Sequence, residues 1–334
     1  MFGIWARGVA RHGVRCAAVR RVSTEAAGRH VAYEEALKLI QVDKKERLEM
    51  LARVEKEVTR VKKTSSPTKE AQLAALQALK YDLEVKAELN DPEVRRNFDD
   101  DKIDMSRPVY RYLSQKRFEK APRSQLLERV TQMNVIPDLV APGFEPKVQV
   151  NIRFGEKENA PVEPGVFVKP EESINVPQIN ITNFHTDTRL YTLMLVDPDS
   201  PDAENKTYQQ HCHWLITNVP LSATQPDVTG GDVVLDYVPP HPEKGTKYHR
   251  YTLVAYEQPN QGQDKVEIKL EKRDAFDTKA LAQAHGLNIS GVSFFREEWD
   301  ATVSKIYQEI LGSNEPIYGK PPKPERYIQR VTYY

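Results

Sequence analysis

The side chains best suited to chemistry in this chain are Asp197, Asp199, His213, His249 and Arg250. They sit at or beside the ends of three runs that read as strands: Tyr191 to Val196, His213 to Val219 and Arg250 to Tyr256. Each run is rich in β-branched and aromatic residues and is bounded by Pro, Asp, Asn or Gly. Strands are stiff, so groups at their ends can converge on a fixed pocket. There an imidazolium or a phenol hydroxyl can donate to a phosphate monoanion, while a buried carboxylate orients the histidine. The plainer alternative is that Asp197 and His249 only bond each other and nearby backbone, as buried polar groups usually do.

Other chemistries find less support. His211 and His213 share one side of a strand with Cys212 on the other, a conceivable zinc pair, but no second pair completes four ligands. Asp197, Asp199 and Asp202 hint at calcium, yet the central glycine and terminal glutamate of an EF-hand are missing. Ser200 lacks a nucleophile elbow, and no Gly-rich phosphate loop occurs. No catalytic residue, metal or cofactor is expected.

The elements that must hold this site are mostly strands. Val148, Val150, Ile152 and Phe154 alternate with polar residues, and Ile179–Thr182 and Val266–Leu270 add further strand candidates. A Pro-rich stretch from Ala160 to Pro177 reads as a surface loop. About seven short strands favour antiparallel sheets. Helical character returns at Thr278–His285 and Phe295–Leu311. The fold class is therefore mainly β with α extensions.

Three motifs in order, DPDSP at 197–201, HWLITN at 213–218 and KGTKYHRY at 244–251, resemble the phosphatidylethanolamine-binding-protein family. The likeness continues through RDAFDTKAL (273–281) and SFFREEWDATVSKIYQEI (293–310), and upstream through VIPDLV and KVQVNIRFG, so it spans about 124–312. It implies an antiparallel β-sandwich with C-terminal helices and an anion-accepting pocket lined by Asp197, His213, His249 and Tyr251. The sequence departs from the family at the glycine-rich anion loop, which here reads Pro239–Pro240–His241–Pro242–Glu243, with Lys247 where a glycine is expected. Proline removes an amide donor and Glu243 adds repulsion. The fold is expected to be kept and the ligand pocket to be vestigial.

The whole chain of 334 residues carries 48 basic and 48 acidic side chains, so only local asymmetry can mark a nucleic-acid contact. The two cysteines, Cys16 and Cys212, form no disulfide framework. Residues 1–24 are Arg-rich, acid-free and amphipathic, the pattern of a mitochondrial presequence, with cleavage expected near Arg21–Ala27. In 25–101, Leu37, Ile40, Leu48, Leu51, Val54, Val58 and Val61 form one helical stripe, and Leu73, Leu76, Leu79, Leu83 and Ala87 a second. Ser66 is placed to cap the second helix and Pro67 to fill its first turn, which makes a helical hairpin. Residues 102–123 form a basic connector with interleaved aromatics. Arg107, Arg111, Tyr112, Lys116, Arg117 and Lys120 are its candidate RNA or partner contacts, against the alternative of a solvated linker. The Tyr- and Pro-rich tail, 313–334, adds Lys323, Arg326, Tyr327 and Arg330.

This combination of presequence, hairpin, connector, sandwich and tail is similar to the mitochondrial large-subunit ribosomal proteins that carry such a domain, in their fungal form. The resemblance implies a non-enzymatic constituent of the mitochondrial ribosome at the central protuberance of the large subunit. Its partners would be large-subunit ribosomal RNA and neighbouring ribosomal proteins in the matrix. The alternative is a soluble matrix protein that binds a phospholipid headgroup or nucleotide and modulates a kinase or protease.

Overall fold

The computed structural model describes residues 31–64, 68–155 and 160–319. The presequence, Ser66, Pro67 and the tail residues Lys323, Arg326, Tyr327 and Arg330 lie outside the described residues.

Helix α1 (Val31–Lys63) runs for roughly 50 Å at 1.5 Å per residue and lies antiparallel to α2 (Lys69–Glu88). Lys80 reaches Glu55 at 2.8 Å and Lys44 reaches Asp91 at 3.2 Å, which fixes the pairing of the two helices. Val61, Leu83 and Ala87 are buried in or beside the seam, whereas Leu48 and Leu79 turn outward. Both sit where the three-and-four spacing drifts off the common face. Asp91 caps α3 (Pro92–Asp99) by accepting from the Glu93 amide, with Pro92 in the first turn.

The basic connector is not extended. Pro108 and Pro122 each open a helix, α4 (Pro108–Lys120) and α5 (Pro122–Gln132). Val94 and Phe98 of α3 and Val109, Tyr110 and Leu113 of α4 form a small core. The interleaved aromatics Tyr110 and Phe118 are buried together with Val109 and Leu113 rather than offered for stacking. A one-turn helix, α6 (Val135–Asp138), then leads into the first strand, so the portion from Ser124 starts helical.

Strands β1 (Gln149–Arg153) and β2 (Gln178–Thr182) form a two-stranded antiparallel sheet. The larger sheet contains β3 (Arg189–Asp202), β4 (Thr207–Leu221), β5 (Asp232–Leu235), β6 (His249–Glu257) and β7 (Asn288–Glu297), in the order β5-β4-β3-β6-β7. Its two faces are both covered. Tyr191, Leu193 and Leu195 of β3 pack with Ile152, Ile179 and Ile181 of the small sheet. The alternate residues Met194 and Val196 pack with Leu126 and Val130 of α5 and with Ala282 of α8 (Thr278–Ala284). Burial on both faces explains why β3 reads as a continuous apolar run rather than an alternating one.

Two expectations fail here. Val266 and Ile268 alternate inward, but Val266–Leu270 is not a strand; it packs over the larger sheet, and the Val266 amide donates to Asn218 Oδ1 at 3.0 Å. Phe295 belongs to β7, and the last helix begins only at α9 (Ala301–Lys305), capped by Asp300 and continued by a wider turn over Ile306–Leu311. A one-turn helix, α7 (Pro259–Gly262), follows β6.

Candidate functional site

The interiors of β3 and β4 and the start of β6 bring together all four residues expected of the pocket, because the structure extends β3 and β4 past the ends read from the sequence. Asp197, His213, His249 and Tyr251 are each at most 3% exposed. A bulge helps to place one of them: Leu195 pairs with Trp214 and Val196 with Cys212, so His213 is skipped in the register. Cys212 faces the helix-side core instead, where burial pushes its thiol up to about 12.

His249 is the centre of the cluster. Its Nδ1 lies 2.7 Å from Asp197 Oδ2, and its Nε2 lies 2.9 Å from Thr246 Oγ1 and 3.4 Å from Glu243 Oε2. The Thr246 hydroxyl donates to the Glu243 carbonyl at 2.8 Å, which leaves its oxygen free to accept from the imidazole. Burial opposes the charge on His249, but the Asp197 and Glu243 carboxylates outweigh it and hold the imidazole at about 9. Glu243, itself buried, is pushed up to about 7.

The loop departure seen in the sequence has a structural consequence. Pro239, Pro240, Pro242 and Glu243 are buried, so the loop turns into the site instead of offering amides at its rim. His241 packs edge-on against His211, His213 and Tyr307, with ring centroids 5.6, 5.0 and 5.3 Å away. Burial lowers His241 to about 4 and drives His213 far below the usual histidine range, so both stay neutral at pH 7. Over the loop lies the start of the tail: the Tyr318 amide donates to the Lys244 carbonyl at 2.8 Å, and the Lys244 ammonium lies 4.4 Å from the Trp299 ring centroid. At Gly245 (φ +94°) a Cβ would run into the Tyr318 carbonyl, so glycine is needed for that crossing. The position where His249 could receive an external anion is taken by the chain's own Glu243.

Asp199 has a different task. Its carboxylate accepts from Arg250 Nε and Nη2, both at 2.7 Å, in a fork, and Arg250 Nη2 also meets Asp138 at 2.9 Å. This ties β6 to α6. His211 Nδ1 lies 2.6 Å from Asp274. Among the described residues no group of three or more His, Cys, Asp or Glu side chains has an arrangement that could hold a metal ion.

The connector candidates divide. Arg111 is 3% exposed and donates to the carbonyls of Met105 and Ser106 at 2.9 and 2.7 Å, so it cannot reach a partner. Its charge misled the sequence reading, because guanidinium groups also tie loops to helices. Arg107 meets Glu88 at 2.7 Å and lies over the Tyr110 ring. Arg117 meets Asp101 at 2.8 Å and stacks 3.9 Å above Phe98. Lys116 is exposed, 2.8 Å from Glu119, with half-buried Tyr112 beneath it. Lys120 is exposed. Sequence reasoning missed His241, Tyr307 and Glu297 as members of the buried cluster; only the proline run beside His241 was a usable signal.

The comparisons agree with this architecture. The family model described as phosphatidylethanolamine-binding protein matches residues 144–295. The chain is 27% identical over 220 residues to the large ribosomal subunit protein mL38 of Schizosaccharomyces pombe, covering 66% of this chain and 71% of that one. It is 30% identical over 146 residues to the protein MOTHER of FT and TFL1 homolog 2 of Oryza sativa subsp. japonica, covering 44% of this chain and 78% of the rice protein. Among solved structures, it is similar to a carboxypeptidase Y inhibitor complexed with its cognate proteinase, at 21% identity and a TM-score of 0.47, over 55% of this chain and 100% of that one.

Proposed function

From the premise that this chain belongs to the phosphatidylethanolamine-binding-protein family, we propose that it is a structural constituent of the large subunit of the mitochondrial ribosome and not an enzyme. One observation carries this reading. The likeness to mL38 runs over 220 residues, 66% of this chain, which is more than the 144–295 that the family model matches. In this reading 124–312 serves as a shape, and the hairpin of 25–101, the now helical connector of 102–123 and the tail of 313–334 grip RNA and neighbouring proteins. Residues 1–24 act as the import signal to the matrix, and the domain sits at the central protuberance. The filled pocket favours this over binding of a phospholipid headgroup or nucleotide, because a ligand anion would have to displace the buried Glu243.

The test is sucrose-gradient sedimentation of a mitochondrial lysate at moderate and high salt, with this protein tracked across the fractions. Co-migration with the large subunit through the high-salt wash is expected. A peak at the top of the gradient at both salt concentrations would sink the reading and return attention to the pocket.

A further inference from the structure

A second cavity opens beyond the sealed cluster, of about 280 Å³, and of the four expected pocket residues only His249 touches it. Three separate elements build it. The β3–β4 hairpin supplies Tyr208, the loop before β6 supplies Lys247 and Tyr248, and the end of α5 with the turn after it supplies Gln132 and Asn134. Two large aromatic side chains are unusually open here: Tyr208 is 69% exposed and Tyr248 37% exposed. Tyr248 is also held in place, since the Arg296 guanidinium lies 5.0 Å from its ring centroid and the Phe167 ring meets it edge-on at 5.7 Å. Among the lining residues Asp199 is the one acid, and the Arg250 fork neutralises it. Lys247 is exposed and makes no ion pair among the described residues.

We propose that this cavity receives one unstacked nucleobase of an RNA, clasped by Tyr208 and Tyr248, with a flanking phosphate on Lys247. The proposal rests on the ribosomal reading, which supplies the RNA. Exposed aromatic faces accept any base, and unpaired cations beside them select a polyanion over an apolar peptide. The Asn134 amide adds a donor and an acceptor to the lining, and Gln132 adds its amide oxygen, its nitrogen donating to Glu128 at 3.0 Å. Lys247, which stands where the family pattern has glycine, thus removes close backbone approach on one side of the loop and adds a cation on the other.

The experiment is ultraviolet crosslinking of purified mitochondrial large subunits carrying the full chain, with nucleotide adducts mapped by mass spectrometry, in wild type and in the variants Tyr208→Ala/Tyr248→Ala and Tyr208→Phe/Tyr248→Phe. A nucleotide adduct on Tyr208 or Tyr248, retained in the phenylalanine variant and reduced tenfold or more in the alanine variant, is expected. Wild-type subunits that contain the protein but show no adduct at either tyrosine, or a peptide adduct in its place, would overturn the proposal while the ribosomal reading stands. Absence of the protein from the subunits overturns both. Tyr208 is open to solvent, so Tyr208→Ala alone serves as the control should the double variant fail to assemble.

Discussion

Replacing Asp197 by asparagine tests the account of the buried cluster most directly. The change keeps the side-chain shape and removes the charge 2.7 Å from His249 Nδ1. In the wild-type fold His249 is held at about 9, against an ordinary value of 6.5. At about 1.4 kcal/mol per pH unit, that elevation corresponds to roughly 3 kcal/mol of stability. The sign follows from the direction: a histidine whose value is raised on folding contributes fully below pH 6.5, and the contribution is lost as the pH rises towards 9. Urea unfolding of the full chain between pH 6 and pH 10, together with NMR titration of the His249 ring, measures both quantities. Wild type should lose stability progressively across that window. Asp197→Asn should be less stable at pH 6, by a few kcal/mol for a broken buried pair, and should lose less on going to pH 10. An unchanged pH slope in Asp197→Asn, or a wild-type His249 that titrates near 6.5, would refute the assignment of the charge to this pair.

Arg111→Ala should cost about 2 kcal/mol or more in urea unfolding, because it leaves the Met105 and Ser106 carbonyls without their donor. Joint replacement of exposed Lys116 and Lys120 by alanine should leave stability within about 0.5 kcal/mol and instead lower the salt concentration that releases the protein from the large subunit. Glu297 is fully buried, and burial pushes it up to about 8, so it is largely neutral at pH 7. Glu297→Gln should therefore be tolerated at pH 7 and should flatten the loss of stability that wild type shows as the pH rises to 8, which the same unfolding series reads out between pH 6 and pH 8.

How much of this was legible beforehand depended on what each element's neighbours demanded. The three central strands were visible because burial on both faces makes their apolar runs dense, and the structure extends each at its ends. The convergence of Asp197, His213, His249 and Tyr251 was legible only through family resemblance, since strand spacing alone does not say which ends meet. Helices α4 and α5 were not seen, because their charged residues outnumber the few apolar positions that pack on Val94, Phe98 and the sandwich. Segment 266–270 was misread for the opposite reason. Its alternation is real, but packing against a sheet face satisfies it without any strand partner. Tyr208 and Tyr248 drew no notice because an exposed tyrosine acquires meaning only when distant segments bring a second one to the same cavity.

Glu243 decides between a pocket that is merely closed and one that is filled. A closed pocket would leave His249 without a second counter-charge; here the chain supplies one, 3.4 Å from Nε2. Glu243→Ala removes that carboxylate and leaves Asp197 in place. The imidazole should then titrate lower than in wild type, since one of the three carboxylates that raise it is gone. Two possibilities remain for an external anion, and inorganic phosphate separates them. If Glu243 alone blocks the site, phosphate should bind Glu243→Ala and shift the His249 ring signals, with no shift in wild type. The buried Pro239, Pro240 and Pro242 and the Tyr318 crossing over Gly245 argue for the other outcome. Each proline lacks an amide to offer an anion, and the loop has no rim left from which to offer one. Phosphate up to millimolar concentrations should therefore leave both proteins unmoved, and saturable shifts in the variant would mean that a working receptor survives beneath a single carboxylate.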